Sequence, residues 1–63
     1  MGPVMTKTQT AAILIFLKEA ALQIENALNV ATQAADQPTE DFLANLLREL
    51  LLEISRFEQL HRA

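Results

Sequence analysis

Residues 11–35 read AAILIFLKEAALQIENALNVATQAA, and they decide the fold because they carry a helical repeat without glycine or proline. Apolar residues in this stretch are spaced alternately three and four apart: Leu14, Leu17, Ala21, Ile24, Leu28, Ala31 and Ala35. This is the a/d pattern of a helix packed at a shallow angle against another helix. The many alanines also favour helix intrinsically. The stretch therefore predicts one long helix with a continuous apolar seam.

A second apolar flank lies beside this seam and recurs every seven residues: Ile13, Ala20, Ala27 and Ala34. Alanine dominates the flank, so another helix could approach it closely. The first turns of the stretch are apolar on every side, with Ile15, Phe16 and Leu22 pointing away from the seam. A helix that is hydrophobic all round is buried all round, although isolated exposed apolar residues are common on protein surfaces. These three residues are therefore candidates for a second contact surface.

A shorter amphipathic helix is predicted after Asp36-Gln37-Pro38-Thr39, because proline disfavours helix in the residue before it and cannot continue a helix. Thr39 is expected to cap this helix, and Pro38 at the first helical position is the alternative. The seam of the second helix again has spacings of four and three: Leu43, Leu47, Leu50, Ile54, Phe57 and His61. Phe42 and Leu52 interrupt its polar face, and they complete the candidate partner surface.

The predicted organisation is one helical-hairpin domain over residues 6–63, after a disordered and partly non-native leader at residues 1–5. Helix 1 is expected at about 8–35, capped by Thr6, Thr8 or Thr10. The turn is expected at 36–38 and helix 2 at about 39–62. Such a short connection gives antiparallel neighbours. Folding about the turn brings level pairs together, with Leu17 near Phe57 and Ala21 near Ile54.

A chain of 63 residues is marginal alone, because it buries only about 60% of its unfolded surface. The sequence has no cysteine, so disulfides and thiolate metal sites are excluded and self-association remains as the stabilising device. We expect two hairpins to form a homodimeric four-helix bundle, with a tetramer left open. The predicted self-association core consists of the seam residues Leu14, Leu17, Ala21, Ile24, Leu28, Ala31, Leu43, Leu47, Leu50, Ile54 and Phe57.

No catalytic, cofactor-binding or metal site is predicted, and we expect the protein not to be an enzyme. Glu58-x-x-His61 matches the spacing of di-iron carboxylate bundles, but the facing level of helix 1, residues 10–17, has no acid. The chain also lacks tyrosine and a glycine-rich phosphate loop. His61 is better explained as the polar end of the seam.

The charge pattern does not favour a nucleic acid or an anionic membrane as partner. The net charge is −3, and the basic residues form no run. The apolar run at residues 11–17 is far shorter than the ~20 residues that span a bilayer, and it lacks the cleavage context of a signal peptide. Together with the absence of cysteine, these features lead us to expect a cytoplasmic protein.

The sequence favours a small dimerisation or protein–protein interaction module, which could also bind a helical segment of another protein. Met5-Thr6-Lys7 and Thr10-Ala11 resemble the opening residues of the Rop family of plasmid copy-number proteins, and the resemblance covers only these positions. That family pairs two hairpins and contacts RNA through helix 1. The resemblance therefore implies a dimeric RNA-binding bundle as an alternative. The polar face for it would be Lys7, Lys18, Gln23, Asn26 and Asn29. A second alternative is an excised oligomerisation domain of a longer protein.

Overall fold

The computed structural model describes residues 4–62, in which two antiparallel helices are joined by a short turn. Helix α1 spans Lys7–Gln33 and helix α2 spans Gln37–Leu60. No strand occurs within residues 4–62, so the all-α class and the helical hairpin are confirmed. The hairpin is a flat rod of 49 × 19 × 15 Å. The leader expected at residues 1–5 falls mainly on residues 1–3, which lie outside the described part.

Helix α1 begins at a capping box built on Thr6, the earliest of the three threonines considered. The Thr6 hydroxyl accepts a hydrogen bond from the Gln9 amide at 3.1 Å, and the Gln9 side-chain oxygen accepts one from the Thr6 amide at 2.9 Å. Each bond satisfies a backbone donor near the helix start. Thr8 and Thr10 lie inside the helix, where Thr10 bonds back to the Thr6 carbonyl.

Helix α1 ends at Gln33, two residues before the expected end, because the chain turns left-handed at Ala35. Ala35 has a φ of +55°, a conformation that glycine normally supplies at helix ends. Its amide donates to the Thr32 carbonyl at 3.0 Å, and the Asp36 amide donates to the Ala31 carbonyl at 3.1 Å. These two bonds form a Schellman motif, which satisfies the last carbonyls of α1.

Helix α2 is capped by Asp36, so the expectation that Thr39 caps it is wrong. The Asp36 carboxylate accepts a hydrogen bond from the Thr39 amide at 3.3 Å. Gln37 and Pro38 then occupy the first turn, where the missing amide of proline loses no helical hydrogen bond. Asp36 therefore completes the end of α1 with its amide and the start of α2 with its side chain, which makes the connection three residues long.

The contact between α1 and α2 runs along the two predicted seams. Ala21, Ala31 and Ile54 are buried, with exposed fractions of 6%, 5% and 5%. The other seam residues are half-buried, except Ala35 in the turn and His61 at the end of α2, which are exposed. Lys18 and Glu58 approach each other across the helices, which places Leu17 within one helical turn of the level of Phe57.

Candidate interaction surfaces

The residues predicted as a self-association core lie along the α1–α2 contact of a single chain. Every one of them is buried or half-buried. Their burial follows from the three-four spacing, which keeps one stripe of each helix turned toward the other. The seam therefore holds the hairpin together, and its contribution to a dimer stays a prediction.

The hairpin has two broad faces, and the ion pair between Lys18 and Glu58 identifies one of them. In an antiparallel pair of helices the residues flanking the contact on one side meet each other, and those flanking it on the other side do likewise. We call the side with Lys18 and Glu58 the charged face, and helical geometry places Glu25 and Arg48 there too. The opposite side, the apolar face, carries at its inner edge Ile13, Ala20, Ala27, Ala34, Leu46, Glu53 and Leu60.

The five candidate partner residues, Ile15, Phe16, Leu22, Phe42 and Leu52, are all exposed, but they do not form one patch. Helical geometry places Ile15 and Leu22 on the charged face and Phe16 at the outer edge of the apolar face. Phe42 lies near the turn, about 25 Å along the axis from Phe16 at 1.5 Å per residue. Leu52 points away from α1 on the outer side of α2. Their role as a partner surface stays a prediction.

Further exposed apolar residues were not included in the predicted partner surface: Val30, Leu46, Leu51 and Leu60. Helical geometry places Leu46, Leu51 and Leu60 at the margin of the α2 seam, yet each stays exposed in the hairpin. Val30 could have been found from its spacing, because it lies three residues after Ala27 and four before Ala34. Exposed apolar side chains are thus present on both faces.

The basic residues do not converge on one surface. Lys18 faces Glu58 at 3.9 Å, and Arg56 bonds to Glu53 on its own helix. The polar residues considered for RNA binding are exposed, but helical geometry places Lys18 and Gln23 on opposite faces. Since RNA binding depends on neutralising several phosphates along one track, this arrangement gives the RNA alternative no support.

A shallow groove of about 320 Å³ lies where the start of α1 meets the end of α2, lined by Met5, Lys7, Thr10, Ala11, Leu14 and His61. The His61 ring packs against Phe57 with ring centroids 4.4 Å apart and tilted by 43°. Glu58 is turned toward Lys18. Within residues 4–62 no three metal-ligating side chains come together. His61 therefore closes the end of the seam.

Neither of the two helices described in residues 4–62 has the length and hydropathy needed to cross a membrane. No family model, curated protein or solved structure matches the chain. The geometry defines an all-α helical hairpin with two exposed faces, and its function has to be argued from those faces.

Proposed function

We propose that this chain is a non-enzymatic dimerisation and protein-interaction module, in which two hairpins pack into a homodimeric four-helix bundle. The dimer closes a core that one hairpin leaves open. The remaining face is then presented to another protein.

The observation that carries this proposal is the surface area of the single chain. Its accessible surface is 5119 Å², whereas a compact monomer of 7.0 kDa exposes about 4,000 Å². The excess of roughly 1,100 Å² is comparable to the ~800 Å² that each partner buries in a standard-size interface. A second hairpin accounts for an excess of this size.

The small core supports the same conclusion. Within residues 4–62 the buried apolar residues are Ala21, Ala31 and Ile54 alone. Small domains without disulfides or metals are usually stabilised by oligomerisation. Packing two hairpins face to face would enclose half-buried seam residues such as Leu17 and Leu47.

The charged face is the better surface for a different protein. Ile15 and Leu22 are exposed there one heptad apart, and Leu51 of α2 is exposed on the same face. An amphipathic helix docks through apolar anchors with this spacing. The neighbouring charges would select its orientation, because rim charges affect partner choice more than affinity.

Sedimentation equilibrium over a wide concentration range tests the proposal. We expect a species of twice 7.0 kDa at micromolar concentrations. Urea unfolding gives a second readout, since a tenfold rise in concentration should stabilise a dimer by about 1.4 kcal/mol. A monomer at every concentration, with unfolding independent of concentration, would contradict the proposal.

A further inference from the structure

Helix α1 carries a second unbroken heptad seam on the apolar face. Its residues are spaced alternately three and four apart: Ile13, Phe16, Ala20, Gln23, Ala27, Val30 and Ala34. With 3.6 residues per turn, this seam lies about 100° around the helix from the seam that contacts α2. Phe16 is 67% and Val30 64% exposed. No member is charged, so the seam matches a helix contact rather than a solvated surface.

The second seam is also self-complementary about Gln23, because its spacing is kept when the helix direction is reversed and larger residues then face smaller ones. Reversing the helix direction pairs the large Ile13 with the small Ala34, and Phe16 with Val30. Ala20 then faces Ala27, which permits a close approach of the two helices. We propose that a second copy of this chain docks antiparallel on the apolar face, with the Gln23 side chains of the two copies meeting on the two-fold axis. This inference rests on the proposed dimer and assigns its interface.

The same two-fold axis also relates helix α2 to its copy. The pairing of Lys18 with Glu58 puts Gln23 level with residue 53 of α2, five residues along in each direction. The residues of α2 on the apolar face are symmetric about that level: Leu46, Glu49, Glu53, Arg56 and Leu60. The axis therefore places Leu46 beside Leu60 of the second copy. It also places Glu49 beside Arg56 of the second copy. Opposite charges then meet at the rim of the interface.

The antiparallel arrangement is favoured over a parallel one by charge. In a parallel pair of α2 helices each Arg56 would lie beside Arg56 of the other copy, and each Glu49 beside Glu49. The antiparallel pair separates these like charges and opposes the helix dipoles. Glu53 still approaches Glu53 of the second copy on the axis. Arg56 of the same chain donates a hydrogen bond to each Glu53 carboxylate, which offsets this like-charge contact.

The apolar face is large enough for a stable dimer. The hairpin measures 49 by 19 Å across its broad side, an area of about 900 Å², and each partner of a standard-size complex buries about 800 Å². The single polar side chain in the middle of the α1 seam has a role as well. A polar residue at one seam position fixes the register of a helix pair, and Gln23 would do so here.

Single-cysteine crosslinking tests the position of the axis, because the chain has no cysteine of its own. Helices 8–10 Å apart bring Cα atoms on the axis to about 4–6 Å, the separation that a disulfide needs. Gln23→Cys should therefore crosslink under mild oxidation in buffer and not in urea. Leu52→Cys, also exposed but on the outer side of α2, is the control and should stay uncrosslinked.

A charge exchange tests the α2 half of the interface. Arg56→Glu should raise the dimer dissociation constant about tenfold, because a carboxylate at position 56 would lie beside the Glu49 carboxylate of the second copy. Combining it with Glu49→Arg should restore affinity to within about threefold, because the opposite charges are then exchanged. A combined variant no tighter than Arg56→Glu alone would overturn the pairing.

The outcomes separate this inference from the proposed dimer. If the wild type is a dimer, and Gln23→Cys crosslinks while Leu52→Cys does not, both the dimer and its assigned face are supported. If the wild type is a dimer, and Leu52→Cys crosslinks while Gln23→Cys does not, the dimer stands and the assigned face is overturned. A wild-type monomer at every concentration overturns both.

Discussion

The Lys18 ammonium lies 3.9 Å from the Glu58 carboxylate and bridges the two helices. The pair reports the register of the hairpin and distinguishes its two faces. Its energetic contribution is a separate matter, because both side chains are well exposed, at 62% and 45%. Exposed pairs contribute little to stability even where they report geometry clearly.

We expect a double-mutant cycle on Lys18→Ala and Glu58→Ala to give a coupling energy of about 0.2–1 kcal/mol at low salt. The coupling should fall when salt is raised to 1 M, since screening weakens exposed pairs. Urea unfolding of the four proteins at one concentration measures it. A coupling that persists in 1 M salt would show that the two side chains are more buried than their exposed fractions of 62% and 45% indicate.

Replacement of the left-handed residue in the turn should stabilise the protein. A non-glycine residue in this conformation costs about 1–2 kcal/mol, and the greater freedom of glycine in the unfolded chain offsets about half of the gain. Ala35→Gly should therefore raise the free energy of unfolding by about 0.5–1 kcal/mol.

The matched control for the turn is Ala34→Gly, because Ala34 is right-handed with φ −79°. It should lower the free energy of unfolding by about 0.5–1 kcal/mol. Equal effects of the two substitutions in urea unfolding would contradict the Schellman turn.

Asp36 should be the most sensitive polar residue of the connection. Its side chain caps α2 through the Thr39 amide, and loss of such a cap costs about 1 kcal/mol. Asp36→Ala should show this loss in thermal unfolding followed by circular dichroism. Asp36→Asn keeps a capping oxygen and should stay within about 0.5 kcal/mol of wild type. An alanine variant as stable as the asparagine variant would rule out the cap.

Ile54 should be the most sensitive apolar residue, because it is the largest of the three buried side chains. Truncation of a buried isoleucine to alanine costs about 2–5 kcal/mol. Ile54→Ala should lower the free energy of unfolding within that range, because Ile54 is only 5% exposed. The neighbouring, exposed Ser55→Ala should change it by less than about 0.5 kcal/mol.

RNA binding should be absent even under favourable conditions. With a net charge of −3 and Lys18 facing Glu58, few positive groups can reach phosphates. A gel-shift titration with structured RNA at about 50 mM salt should show no complex, although low salt strengthens phosphate contacts. A shift that weakens as salt rises would restore the RNA-binding alternative.

The seams could be predicted from the sequence, and the turn could not. The three-four spacing along α1 and α2 is read from the sequence, and helical geometry alone then gives the stripe of each helix that makes the contact. The end of α1 was expected near Ala35 because alanine is a good helix former. A left-handed alanine has no sequence signal, whereas a glycine there would have marked the end of the helix. Asp36 was missed as the cap because it was assigned to the turn, although aspartate is a favoured cap and proline is tolerated in a first helical turn.

The sequence alone determined that two amphipathic helices form and which stripe of each is apolar, because side-chain direction within a helix follows from residue spacing. It also listed exposed apolar residues such as Phe16 and Leu22. Only the tertiary structure decided which residues of α2 lie beside each of them, because that depends on how the two helices are placed along each other. The relative rotation and register of α1 and α2, reported by Lys18 and Glu58, are set by packing across the turn and cannot be read from either helix by itself.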